Sequence, residues 1–288
     1  MAHTAMSGTG TNVGDDPLQT AVWRLRSRGC WTDAAALLAP HAMSPPNTVS
    51  ASNTASAPNT VSTSNTSTAT GTTPALALQR AALLVERCLF TGDGWPEAED
   101  ALRAAEAAAR EDHERGAAAC ERGHLAYAST VLGVRDRADE ARAALGRAAA
   151  LLDPTAPGRA LLDFRRGLIA EHLSDSPQSA RAAYRRAHAA ATAAGETLLL
   201  SFTWRHLAGL ALREGELAEA RHGFGESLRI REELGYLVGT APALAALADA
   251  EPEPEAGRLR AEAGRLFRLL GGVPTWLADQ LTPPAPVA

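Results

Sequence analysis

Apolar residues recur at three- and four-residue steps along most of the chain, and short polar or glycine-containing breaks separate the runs. Between Gly195 and Tyr236, one run ends at a break around Gly215 and a second run follows. This spacing places each run on one face of an α-helix. Small residues let the two helices approach closely, while Trp204 and Phe224 fill the space between them. The runs are Trp204, Leu207, Ala208 and Ala211, then Leu217, Ala220, Phe224, Ser227, Leu228 and Leu234.

The same pair of helical patterns recurs about six times along the chain. Trp31 and Trp95 occupy equivalent places, shortly before the small residues Ala34 and Ala98. We therefore predict an all-α fold, an α-solenoid of about six antiparallel helix pairs in which each pair is buried against its neighbours. Small residues that mark the repeat, at roughly forty-residue intervals, are Ala98, Ala141, Ala180, Ala220 and Ala256.

Composition divides the chain into a repeat array and several other segments. Residues 43–75 are mostly Ser, Thr, Asn, Ala and Pro, with Asn47, Asn53, Asn59 and Asn65 at a regular spacing that fits neither a helix nor a half-buried strand. This insert has too little apolar surface to offset its ordering entropy, so we predict a disordered spacer, with a binding arm as the alternative. The predicted segments are a disordered tail (1–15), a first helix pair (16–42), the insert (43–75), the main helical array (76–271) and a C-terminal tail (272–288).

At this point the chain resembles the tetratricopeptide repeat (TPR) family, whose pattern is Trp, Leu-Gly and Tyr, then Ala, an aromatic residue and Pro. Trp204 and Leu207 match the first part, and Ala220 with Phe224 matches the second. The resemblance implies a right-handed superhelix. Ala208, Ala211 and Glu232 depart from the pattern, so it predicts the stack of helix pairs and not an exact curvature. Residues 196–271 also resemble repeat regions of bacterial transcriptional regulators, which bind proteins, peptides or small ligands.

The net charge and the cysteines predict which partners are disfavoured and in which cellular compartment the protein lies. The net charge is −5, so no overall positive field favours nucleic acid or an anionic membrane. The chain contains three cysteines, and their wide separation predicts buried free thiols in a reducing cytoplasm. The first residues lack the basic and apolar regions of a signal peptide, and no apolar run is long enough to span a bilayer. We therefore expect a cytoplasmic protein that contacts neither nucleic acid nor membrane.

The motifs of common enzymes and metal sites are absent from the sequence. The chain has eight histidines, but no pair of them has the H-E-x-x-H spacing. The sequence also contains no C-x-x-C, no G-x-S-x-G and no phosphate-binding loop. Glu171 and His172 are adjacent, so we expect them to project from different helix faces. Glu99 is expected to pair with Arg103 on its own helix. The sequence therefore predicts a protein that is not an enzyme, with no catalytic residue, cofactor or metal ion.

In the first helix of each pair, the face opposite the packing face provides candidate binding residues. In helical stacks of this kind, the first helix of each pair lines the concave side. Stacking would bring arginine, histidine and aromatic side chains into one basic groove, and arginine forks bind carboxylates through two hydrogen bonds. The alternative is that these arginines pair with neighbouring glutamates. The predicted partner-binding residues are Arg122, Arg165, Arg166, His172, Phe202, Arg205, His206 and Arg213.

These observations predict a module that binds another protein or a peptide, with an acidic peptide or a chain terminus as the concrete hypothesis. A regulatory adaptor with a prebuilt groove is the first interpretation. The alternative is a regulator that senses a small ligand or peptide and closes its superhelix on binding.

Overall fold

The computed structural model describes residues 16–39 and 73–274, together with Leu277 and Leu281. These residues form twelve α-helices and contain no strand. The predicted tail at 1–15, most of the insert at 43–75 and the last residues of the chain lie outside the described residues. The helices are Pro17–Arg26 (α1), Trp31–Leu37 (α2), Pro74–Thr91 (α3), Trp95–Ala108 (α4), Asp112–Val131 (α5), Ala138–Leu151 (α6), Arg159–His172 (α7), Pro177–Ala194 (α8), Thr197–Arg213 (α9), Leu217–Glu233 (α10), Leu237–Ala248 (α11) and Glu255–Leu269 (α12).

Helices that follow one another in the chain pack against one another. Each odd-numbered helix contacts the even-numbered helix after it, and each even-numbered helix contacts the first helix of the next pair. First helices also contact first helices, as α3 does with α5 and α5 with α7. The predicted all-α fold and its helix pairs are therefore confirmed. The marker residues Ala98, Ala141, Ala180 and Ala220 have no exposed surface and Ala256 is 2% exposed, so these positions face the core.

The ends of the helices follow the local signals in the sequence. The Asp16 carboxylate accepts a hydrogen bond of 2.9 Å from the Leu18 backbone N–H and caps α1, with Pro17 in the first turn. Gly215 lies in the predicted break with φ at 83°, a conformation that glycine adopts without strain. Helix α3 begins at Pro74, inside the predicted insert, because the Thr73 hydroxyl caps it.

Small residues set the distance between paired helices. A methyl group added at Gly167 of α7 would lie 2.4 Å from the Tyr184 ring of α8, and one added at Gly223 of α10 would lie 2.9 Å from Cβ of Ala208. The larger Phe224 is 4% exposed and packs in the same interface. These close approaches are what the alternation of small and aromatic residues predicts for the fifth pair.

The first helix pair also contacts the connection between α10 and α11. The Val238 N–H donates a hydrogen bond of 2.9 Å to the Ser27 carbonyl oxygen. The Tyr236 ring stacks on Trp23 at 5.8 Å between centroids, and its hydroxyl donates to Glu86 Oε1 of α3 at 2.6 Å. We call these five residues the closing contact. It departs from an array in which each unit contacts only its neighbours.

The predicted C-terminal tail contributes to the core. Leu277 has no exposed surface and packs with Phe267 of α12, together with the half-buried Leu281. Leu277 therefore adds to the packing of the last helix, whereas Trp276 lies outside the described residues.

The three cysteines are free thiols, and Cys88 and Cys120 are buried whereas Cys30 is half-buried. Burial raises the pKa of Cys88 to about 12. None of the helices in the described part of the chain combines the length and the apolar character that crossing a bilayer requires.

Candidate functional site

The predicted binding residues separate into paired and unpaired groups. Arg122 of α5 is held by α4, because its Nε and Nη2 donate to the two oxygens of Glu106 at 2.9 and 2.8 Å. A further nitrogen of Arg122 bonds to Glu99. Arg166 of α7 is exposed and has no ion pair within the described part of the chain. Neither arginine lies with the other predicted residues.

Arg165 is a core residue. Only 6% of it is exposed, and its Nη2 donates to Glu121 Oε1 of α5 at 2.6 Å. Its Nη1 lies 3.2 Å from the Cys120 sulfur. Burial alone would raise the pKa of the Glu121 carboxyl, but the adjacent guanidinium outweighs burial and holds the pKa at about 2. The alternative that groove arginines pair with glutamates therefore describes Arg122 and Arg165, and also Arg213, whose Nη2 donates to Glu171 Oε1 at 2.6 Å.

Three of the remaining predicted residues, His172, His206 and Arg213, surround the carboxylate of Glu171, near the end of α7. Glu171 Oε2 accepts a hydrogen bond of 2.6 Å from the Tyr184 hydroxyl and lies 3.0 Å from His206 Nδ1. Glu171 Oε1 accepts a bond of 2.6 Å from Arg213 Nη2, and His172 Nε2 lies 3.6 Å from Oε2. We call these five residues the Glu171 cluster. They come from α7, α8 and α9, so the packing of successive pairs assembles the cluster.

The protonation states of the cluster follow from its burial. Burial lowers the pKa of His206 to about 4, although the adjacent Glu171 opposes the shift. Burial also lowers the pKa of His172. For Glu171, burial would raise the pKa, but the hydrogen bonds from His206 and Tyr184 outweigh it and lower the pKa. At neutral pH the cluster therefore holds two neutral imidazoles and an ionised carboxylate.

A cavity of about 340 Å³ opens beside the cluster. Its volume lies at the lower end of the range for small-molecule sites. Arg213, which lines the cavity, has 55% of its side chain exposed, whereas Glu171 has 5% exposed. The lining residues are Glu171, His172, Asp175, Pro177, Leu210, Arg213 and Glu214.

Two arginines near this cluster have no carboxylate partner. Arg205 of α9 is half-buried and forms no ion pair within the described part of the chain; burial lowers its pKa, with Glu171 opposing. Arg231 of α10 is 2% exposed and donates to Ser201 Oγ at 3.2 Å and to the Gly239 carbonyl oxygen at 2.7 Å.

The guanidinium of Arg231 also lies over the ring of Phe202 at 5.0 Å. Burial and the positive charge of Arg205 together lower the pKa of Arg231 to about 9. Arg231 therefore places positive charge beside an aromatic ring, and neither Arg205 nor Arg231 forms an ion pair with a described carboxylate.

Three residues of this region were not predicted from the sequence. Glu171 was dismissed because it is adjacent to His172, yet α7 is buried over so much of its surface that both side chains contact neighbouring helices. Tyr184 was assigned only to packing. The burial of Arg231 could have been predicted, because Arg231 lies on the apolar face of α10 together with Ser227 and Leu234.

A scan of the chain against known protein families finds no match. A search among curated protein sequences finds no similar sequence either.

Proposed function

We propose that this chain is a TPR-like α-solenoid with a right-handed superhelix, and that it binds an acidic segment of another protein or peptide. In this proposal it acts as a regulatory adaptor in the cytoplasm and catalyses no reaction. The observation that carries the proposal is the pair of neighbouring guanidinium groups of Arg205 and Arg231, which form no ion pair with a described carboxylate, while Arg231 lies over Phe202.

The physical argument concerns the cost of buried charge. A charged group removed from water costs several kcal/mol unless an opposite charge and hydrogen bonds compensate it. Arg231 is 2% exposed and has only a hydroxyl and a carbonyl as acceptors. A carboxylate bound at the half-buried Arg205 would offset this positive charge. The buried Arg231 would add to the electrostatic attraction.

The surroundings of Arg205 favour a peptide over a small ion. Phe202 offers an apolar contact within one turn of the same helix, and Arg213 and the cavity of about 340 Å³ extend the surface toward the end of α9. An acidic segment could therefore place one carboxylate at Arg205 and further groups along α9. Arg165 and Arg122 are excluded from this surface because their carboxylate partners already hold them.

The test compares two arginine variants as bait in a pull-down from cell lysate, followed by mass spectrometry. We expect Arg205→Ala to weaken capture of the main partner by about tenfold, because one charged hydrogen-bonded contact is lost. Arg185→Ala is the matched control, since Arg185 is exposed on α8 and has no ion pair within the described part of the chain.

A second arm uses a defined probe. Hexaglutamate with a free C-terminus should compete with the captured partner, and its competition should weaken as salt is raised. Equal capture by the wild type and Arg205→Ala, with no competition by hexaglutamate, would contradict the proposal.

The closing contact favours a second candidate function, a regulator whose curvature changes when a ligand or peptide binds. Tyr236 and Val238 join the first pair to a distant part of the chain, so a ligand that strengthens or breaks this contact would change the overall dimensions. Small-angle scattering with and without the captured partner distinguishes the two candidates. A constant radius of gyration supports the adaptor, and a changed one supports the regulator.

A further inference from the structure

The Glu171 cluster contains three potential metal ligands at short range. One oxygen of Glu171 and one nitrogen each of His172 and His206 all lie within 4.8 Å of one another. His206 Nδ1 and His172 Nε2 are 3.0 and 3.6 Å from the same oxygen, Oε2. The two imidazole planes are inclined at 69°, with ring centroids 6.0 Å apart. The three residues therefore bring three potential donor atoms into one small region.

These distances suit a first-row transition metal. Bonds from Zn²⁺ to histidine nitrogen or carboxylate oxygen are about 2.0–2.2 Å, so ligand atoms in a tetrahedral site are about 3.3 Å apart. The two separations from Glu171 Oε2 already bracket that value. The two imidazole nitrogens lie within 4.8 Å of each other, so His172 and His206 must rotate to bring both nitrogens within reach of one ion.

The donor types also suit metal binding. Two imidazole nitrogens and one carboxylate oxygen form a donor set that Zn²⁺ takes in proteins. Each donor atom must present a lone pair, so the ion displaces any proton on the ligating nitrogen.

Outer residues hold the carboxylate in place. Arg213 bonds to Oε1 and Tyr184 bonds to Oε2 of Glu171, and such partners orient metal ligands in known sites. The positive charges of Arg213 and Arg205 oppose a cation. For this reason we expect weaker binding than at a structural zinc site with four protein ligands.

We propose that Glu171, His172 and His206 bind one divalent transition-metal ion, with Zn²⁺ as the best-suited ion. Three protein ligands leave a fourth position open, as in zinc sites that exchange a ligand. Glu171 and His172 line the cavity of about 340 Å³, so the open position faces a space that water or a carboxylate or imidazole of a partner can enter.

The test is a titration of the full chain with Co²⁺, monitored by visible absorption, and with Zn²⁺, monitored by calorimetry. We expect one ion per chain and a loss of affinity of about tenfold or more in His206→Gln and in His172→Gln. His113→Gln is the matched control: His113 lies 3.2 Å from Glu111 on the surface but has no third donor. All variants carry His3→Gln, which removes a histidine outside the described residues.

Nuclear magnetic resonance of the histidine rings keeps the proposal testable if a variant fails to fold. In the protein without substitutions at His172 and His206, Zn²⁺ should shift the ring resonances of these two histidines. The ring resonances of His188 and His222 should stay unchanged. No saturable binding, or equal losses in His113→Gln and His206→Gln, would overturn the proposal. Arg205→Ala should retain the metal, so failure of peptide binding and failure of metal binding are separate results.

Discussion

Replacing Arg165 with methionine is expected to lower the free energy of unfolding by about 3–5 kcal/mol. The variant keeps the apolar stem but leaves the Glu121 carboxylate buried without its cation. Both side chains of this pair are 7% exposed, and Glu121 Oε2 already lacks a hydrogen-bond partner. Urea unfolding followed by circular dichroism measures the loss.

Arg229→Met is the control for this change. Arg229 pairs with Glu226 and Glu233 on the surface of α10, with 51% of its side chain exposed. Exposed pairs of this kind contribute about 1 kcal/mol or less. The double variant Arg165→Met with Glu121→Gln should recover part of the lost stability, because it no longer buries a charge. Similar losses in Arg165→Met and Arg229→Met would show that the buried pair has no special role.

The same pair predicts a pH dependence. The pKa of Glu121 falls from 4.5 to about 2 on folding, so this carboxylate stabilises the fold fully above pH 4.5. Its contribution is lost as the pH falls from about 4.5 to about 2. Arg165→Met should lack this part of the acid destabilisation, which unfolding curves of both proteins across that range would reveal.

Replacing Tyr236 with alanine is expected to lower the free energy of unfolding by about 3–5 kcal/mol, as for other buried aromatic residues. Tyr236 is 2% exposed, stacks on Trp23 and donates its hydroxyl proton to Glu86. The loss should be largest at the first pair, because Tyr236 joins this pair to α11. Hydrogen exchange of the amides in α1 measures that local effect.

Tyr236→Phe separates the ring from the hydroxyl. It retains the stack on Trp23 and loses only the hydrogen bond to Glu86, so a loss of about 1–3 kcal/mol is expected. Glu86 keeps its ion pair of 2.8 Å with Arg26 in this variant. If Tyr236→Ala left exchange in α1 unchanged, the closing contact would have no part in holding the first pair.

The helices were predictable because their signals are local. The apolar periodicity, the glycine at 215 and the proline at 17 act within one or two turns, so they locate helices without knowledge of the fold. The buried faces of the second helices were predictable for a similar reason, since Ala180 and Ala220 lie on the apolar stripes of their helices and are both fully buried.

The ion pairs were less predictable, because the packing of different helices selects the partners. Glu99 was expected to pair with Arg103 on its own helix. Instead it bonds to Arg122 of α5 and to Arg137, which precedes α6, and Arg103 bonds to Asp100. The spacing of charged residues along one helix cannot show whether an arginine of a neighbouring helix lies closer to a glutamate than an arginine of the same helix.

The candidate site was predicted only in part. His172, Phe202, His206 and Arg213 were assigned to one surface, and side-chain contacts now link them through Glu171 and the neighbouring rings. The burial of Arg165 was not foreseen, because α7 is covered on most sides and the periodicity of a single helix does not reveal this.

The hydrogen bond between Val238 and Ser27 has a consequence for folding during translation. Most other helix contacts join neighbours in the chain, so they can form soon after each segment leaves the ribosome. Helix α1 is translated well before α10, but residues that complete its surroundings emerge only after α10. Helix α1 therefore reaches its final surroundings long after its own translation.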